Sequence, residues 1–188
     1  MTGQQARFSA PSRVIHWLMA VMILAMLCIG VGMAASVSER YKVLVSIHKP
    51  LGIAILILVV IRFVNRRINP PPALPDSLTP VLRMAAIASH VLLYVLMFIT
   101  PLVGWGMLSA ARYPIILYGP LHLPPILPHD LALYALLREL HTCLAYGFFA
   151  LILVHFGAAL FHGLIRRDGV LASMASWRRT QTSGDIPR

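Results

Sequence analysis

From Leu140 to Ile165 the sequence reads LHTCLAYGFFALILVHFGAALFHGLI, without one Asp, Glu, Lys or Arg but with three histidines, His141, His155 and His162. A bilayer demands about 20 consecutive apolar residues of a spanning helix, and this run exceeds that length. With no water in lipid to satisfy backbone groups, such a run is read as a helix. Along a helix, His141 and His155 are separated by about 21 Å of rise and only about 40° of rotation. One helix therefore presents two imidazoles on nearly one face at two depths.

Three other runs have the same character: Val14 to Ala35, Val43 to Val64 and Ala85 to Leu108. With the fourth, over about 140–165, and the connectors between them, they leave no room for a soluble domain. Composition agrees, at 59% hydrophobic and 12% charged residues with a mean hydropathy of +0.78. Soluble domains carry about 45–50% apolar and about 25% charged residues. An ordinary soluble enzyme and a disordered tail are excluded. The fold class expected is all-α: an integral membrane four-helix bundle, with residues 1–188 forming a single transmembrane domain.

The formal charge of +10 comes from 16 Lys and Arg against 6 Asp and Glu. On so apolar a chain these charges read as membrane-flanking residues, and no nucleic-acid partner is expected. Arg7, Arg13, Arg62, Arg66, Arg67, Arg83, Arg166, Arg167, Arg178, Arg179 and Arg188 fall on the N-terminal, second-loop and C-terminal side. Fewer, Arg40, Lys42, Arg112 and Arg138 with Lys49, fall on the other. The positive-inside rule then puts both termini in the cytoplasm. The first run is longer than the apolar core of a cleaved signal peptide and is read as a retained helix. Cys28 and Cys143 make no disulfide framework and no C-x-x-C-H motif.

Two connectors carry the prolines. INPPPALPDSLTP ends the second helix and spaces the third. ARYPIILYGPLHLPPILPHD is apolar, yet its prolines forbid a fifth continuous helix, so it is expected at the external interface. It is either a lipid-hugging connector or a surface for docking or substrate access.

Ionisable residues inside transmembrane helices are costly and by default functional. Of eight histidines, six lie in or at the helices, and His122 and His129 lie in the external loop. By depth, His48 and His141 share the outer level. His155 lies at the inner level with both His16 and His90, and depth does not choose between them. Two imidazole levels suit two b-type haems in a bundle core. Zinc would need four close tetrahedral ligands, and these histidines are spread over two depths. A proton relay would want buried carboxylates, whereas Glu39, Asp76, Asp130, Glu139, Asp168 and Asp185 fall in loops or at helix ends.

The segments SRVIHW (12–17), IHKPLG (47–52), SHVLLY (89–94), LHT (140–142) and HFGAALFH (155–162) together resemble the bacterial cytochrome b561 family of four-helix, dihaem inner-membrane proteins. The resemblance covers nearly the whole chain. It implies that His16 and His155 ligate the inner haem b, and His48 and His141 the outer. It leaves His90 near a haem without being an axial ligand, and suggests a quinone site at the cytoplasmic end where His162 hydrogen-bonds ubiquinone. Arg13 and Arg62 are close in depth and would assist there or hold haem propionates. No catalytic residue is assigned. The function expected is transmembrane electron transfer to or from the quinone pool, extending to superoxide oxidation with ubiquinone reduction as in some family members. The alternative is a haem-bearing anchor subunit relaying electrons between quinone and a separate periplasmic redox protein.

Overall fold

A computed structural model describes residues 7–74 and 78–175. Asp76, Arg178, Arg179, Asp185 and Arg188, which entered the charge reading above, lie outside the described residues. Four long helices dominate: α1 (Ala10–Ala34), α2 (Glu39–Ile68), α3 (Pro80–Ala110) and α4 (Leu131–Leu160). All four are long and apolar enough to cross a membrane. A π-helical turn, Phe161–Arg166, continues α4, and a short α5 (Val170–Ala175) follows.

The helices start before their apolar runs because hydropathy marks what sits in lipid, whereas capping chemistry marks where a helix starts. Ser9 Oγ accepts the Ser12 N–H at 3.3 Å, with Pro11 in the first turn where no helical donor is needed. Thr79 caps α3 in the same way, ahead of Pro80. Asp130 caps α4, accepting from the Ala132 and Leu133 N–H groups at 2.8 and 3.0 Å. That cap starts α4 nine residues before the apolar run, and the added turns carry Arg138 and Glu139. Arg66 and Arg67 close the last turn of α2, where the helix dipole favours cations.

The outer connector is folded into a structure that sequence periodicity did not show. Strands β1 (Ile115–Tyr118) and β2 (Leu121–Leu123) pair antiparallel around Gly119, whose φ of 51° lies in the left-handed region. Side chains from the helices hold this hairpin by its backbone. Lys49 Nζ donates to the Pro114 carbonyl at 3.2 Å, Trp105 Nε1 to the Pro124 carbonyl at 2.9 Å, and the Ile126 N–H to Ser109 Oγ at 3.1 Å. His122 Nδ1 lies 2.7 Å from the Pro120 carbonyl, and His129 Nδ1 lies 2.9 Å from that of Ala110. Each loop histidine thus has a backbone carbonyl as its partner.

Packing is uneven around the bundle. α1 lies closely along α2, and α3 along α4, while α2 and α3 join the two pairs by a narrower contact. α4 has no extensive backbone approach to α1 or α2. The buried core is one layer: Met19 and Ile23, Ile55 and Val59, Leu96 and Met97, and Phe148. Phe148 stands seven residues from both His141 and His155, so this layer separates the two histidine levels. Most other large apolar side chains face outward, as they do where the solvent is lipid.

Since lipid is as apolar as the core, core residues here stabilise through packing rather than transfer from water. Met19→Ala, at a site 2% exposed, is expected to lower the unfolding free energy in detergent by about 1–3 kcal/mol. Val21→Ala, at a site 64% exposed, should stay within about 0.5 kcal/mol. Denaturant titration followed by circular dichroism checks both.

Candidate functional site

The candidate site consists of two imidazole levels, at each of which α4 meets a helix, α2 or α1, that it does not pack closely against. At the outer level His48 of α2 meets His141 of α4, with ring centroids 6.1 Å apart and planes inclined by 74°. His141 is oriented from behind, since its Nδ1 lies 3.1 Å from the Thr100 carbonyl, which leaves Nε2 directed elsewhere. Room for that ring comes from Gly104, where a Cβ would stand 3.1 Å from His141 Cε1. His48 Nδ1 is buried and has no hydrogen-bond partner. A buried polar atom without a protein partner suits a group from outside the chain.

At the inner level His155 of α4 faces two rings. His16 of α1 lies 6.5 Å away, centroid to centroid, inclined by 74°, and His90 of α3 lies 5.5 Å away, inclined by 71°. A metal–imidazole nitrogen bond is about 2 Å long, and a ring centre lies about 1.1 Å beyond the nitrogen. Two axial imidazoles on one metal therefore have centroids about 6.3 Å apart. The 6.1 and 6.5 Å pairs match that spacing. The His90–His155 contact is too short for it and belongs to rings in direct edge contact.

Around the inner level the polar groups come from α1, α2 and α3. Trp17 lies edge-on to His16 at 5.6 Å and donates its indole N–H to the Met174 carbonyl at 3.2 Å, tying α5 to α1. Arg62 Nε donates to Tyr94 Oη at 3.1 Å, and Arg62 and Arg66 both stand 5.9 Å from the Tyr94 ring centre. The Arg62 guanidinium is within electrostatic reach of His16, His90 and His155. Arg13, half-buried, lies one turn before His16 on α1. Asn65 Nδ2 donates to Ser12 Oγ at 2.8 Å, joining α2 to the start of α1. Arg62, Arg66, Ser12 and Tyr94 line a cleft open to the surface at this end.

His162 stands apart from both levels, in the π-helical turn beyond α4. Its Nδ1 lies 2.5 Å from Asp168 Oδ2. Sequence reasoning put Asp168 at a helix end and gave it no partner. The contact depends on a chain reversal, with Arg167 at φ 51° and Gly169 at φ 78°. Only the Asp168–Gly169 dipeptide, a turn former, hinted at it. Thr100 carries no signal of its role in the sequence either, because the orientation of His141 depends on a neighbouring helix.

Comparison with known proteins adds an independent line. A family model described as prokaryotic cytochrome b561 matches residues 7–177. "Cytochrome b561 homolog 2" of Escherichia coli (strain K12) is 31% identical over 175 residues, covering 92% of this chain and 93% of the relative. "Cytochrome b561 homolog 1" of the same organism is 26% identical, covering 92% of this chain and 99% of the relative. "Probable superoxide oxidase CybB" of Yersinia pestis is 26% identical, covering 88% and 93%.

Filling the space at Gly104 tests the outer level directly. Gly104→Val should push the His141 ring off the Thr100 carbonyl and lower the haem-to-protein ratio of the purified protein. The helical signal in circular dichroism should remain. A ratio equal to that of the unmodified protein would mean that His141 need not occupy this position.

Proposed function

Because the chain belongs to the prokaryotic cytochrome b561 family, a haem b-binding, multi-pass family of the bacterial inner membrane that performs transmembrane electron transfer, we propose how its residues divide that task. His16 with His155, and His48 with His141, hold two haems b at two depths. The observation that carries this is the pair of ring spacings, 6.5 and 6.1 Å, near the value set by axial ligation. When bound, haem supplies a one-electron Fe(III)/Fe(II) couple at each level. With both imidazoles of each pair committed to holding the group, partners would exchange electrons with it rather than bind to it.

The remaining residues bind, orient and neutralise. His90, in edge contact with His155, borders the inner site without ligating. Arg13 and Arg62 neutralise carboxylates of the bound group at the inner level. His162 binds a quinone, ubiquinone in this reading, through a hydrogen bond to a carbonyl oxygen. Loop charges support cytoplasmic termini, with the quinone end inside and the hairpin outside. The Yersinia relative's name supports superoxide as the external donor. In that case external cations such as Arg40, Lys42 and Lys49 attract it, Lys42 being paired with Glu39 at 2.7 Å.

A second reading has one observation behind it. The hairpin region exposes Tyr113, Ile116, Leu121 and Ile126, each between 45 and 58% accessible. An exposed apolar rim of this kind suits a periplasmic redox protein docking on an anchor subunit.

A reduced-minus-oxidised visible spectrum with a haem-to-protein ratio tests the primary reading. The expected ratio is about two, falling to about one in His48→Ala and in His155→Ala. Loss of a haem in His90→Ala but not in His16→Ala would overturn the inner pairing. Superoxide-driven ubiquinone reduction by the purified protein alone supports the oxidase. Activity only on adding a periplasmic fraction supports the anchor.

A further inference from the structure

We propose that Asp168 is the positioning residue of the quinone site, acting through His162, and this rests on the reading of His162 as the quinone-binding imidazole. Both carboxylate oxygens are engaged. Oδ2 faces His162 Nδ1 at 2.5 Å, while Oδ1 accepts the Val170 N–H at 3.3 Å at the start of α5. Arg166 Nε lies 3.7 Å from Oδ2. The two partners are mostly shielded, with the His162 side chain 21% and that of Asp168 11% exposed. In such a setting a charge-assisted hydrogen bond outweighs the ring's freedom to turn.

The chain is built to bring this carboxylate back. The π-helical turn Phe161–Arg166 widens the end of α4, and left-handed Arg167 reverses the direction. Gly163 lets the Leu171 side chain of α5 lie flat against the turn, where a Cβ would overlap it. Trp17 fastens the far end of α5 through the Met174 carbonyl. Asp168 is therefore held from three sides, and π-helical turns of this kind recur at functional sites.

The chemistry follows from which nitrogen is occupied. With Nδ1–H donated to Asp168, Nε2 is the nitrogen left for a ligand. As imidazolium, His162 offers Nε2–H to a quinone carbonyl oxygen. As neutral imidazole, it offers the Nε2 lone pair to a quinol hydroxyl. Reduction of a quinone to quinol takes two electrons and two protons. The electrons come from the family's transmembrane transfer. One proton moves from Nε2 to the near carbonyl oxygen, and water reprotonates Nε2. The second proton reaches the far oxygen from water. Asp168 orients the ring throughout, as the carboxylate does in other acid–base dyads.

The test uses the haem-loaded protein in detergent, reduced with stoichiometric dithionite and mixed with ubiquinone-1, following the visible absorbance as it reoxidises. Calorimetric binding of ubiquinone-1 to the oxidised protein gives a second readout. Asp168→Ala is expected to slow reoxidation about 10–100-fold and to weaken binding. Asp168→Asn keeps an acceptor for Nδ1–H and a cap for α5, so binding should stay within about threefold while the maximal rate falls. In a His162→Ala background, Asp168→Ala should change neither readout further. A purely structural carboxylate would slow that background as much as it slows the unmodified protein, which would overturn the proposal. So would full activity in both Asp168 variants when His162→Ala is slow. Should His162→Ala itself reoxidise and bind normally, the quinone reading of His162 falls first. If Asp168→Ala fails to fold, judged by its haem spectrum, Asp168→Asn and its double variant carry the comparison.

Discussion

Imidazole contact across the gap between α4 and the α1–α2 pair is the constraint on which the rest of this bundle depends. α4 leans on α3 and approaches α1 and α2 through the buried layer around Phe148 and, on either side of it, through His48–His141 and His16–His155. Lipid gives helices no hydrophobic reason to associate, so packing and polar contacts must hold them. Histidines in such a position are expensive unless something engages both nitrogens. That expense explains why His141 is backed by a carbonyl and why a glycine stands where its ring lies. It also places the buried apolar layer between the levels, with Phe148 midway, where no polar group interrupts it.

The two ends of the bundle are closed by different devices with one purpose. At the outer end, a proline-rich hairpin is clamped through its backbone carbonyls by Lys49 and Trp105. At the inner end, a π-helical turn and a one-and-a-half-turn helix fold back onto α1 through Trp17. In both cases a tryptophan indole, apolar in body and polar at one atom, anchors the return. This is the usual place for Trp in a membrane protein, at the boundary between lipid and water.

Much of this was legible in the sequence. The four crossing helices follow from runs of apolar residues, and the depths of His16, His48, His141 and His155 follow from counting along them. The starts of the helices were less legible. Leu131–Leu140 contains Arg138 and Glu139, which an apolar-run reading excludes although a helix extending into water accommodates both. The hairpin was hidden for another reason. Its strands are four and three residues long, too short to establish an alternation, and Pro114, Pro120 and Pro124 mask what remains.

What the sequence determined by itself is therefore what depends on one helix at a time: crossing, depth, and the 40° alignment of two imidazoles on α4. Tertiary structure decided everything that depends on two chain segments meeting. It set both His16 and His90 against His155, at distances of which only the longer suits two ligands on one metal. It turned His141 toward its partner by a carbonyl on α3, and it brought Asp168 back to His162 through two left-handed residues. The physical reason is the same in each case. Hydropathy and helical period are properties of neighbours in sequence, whereas the choice of hydrogen-bond acceptor for a ring nitrogen is made by whatever backbone arrives across the bundle.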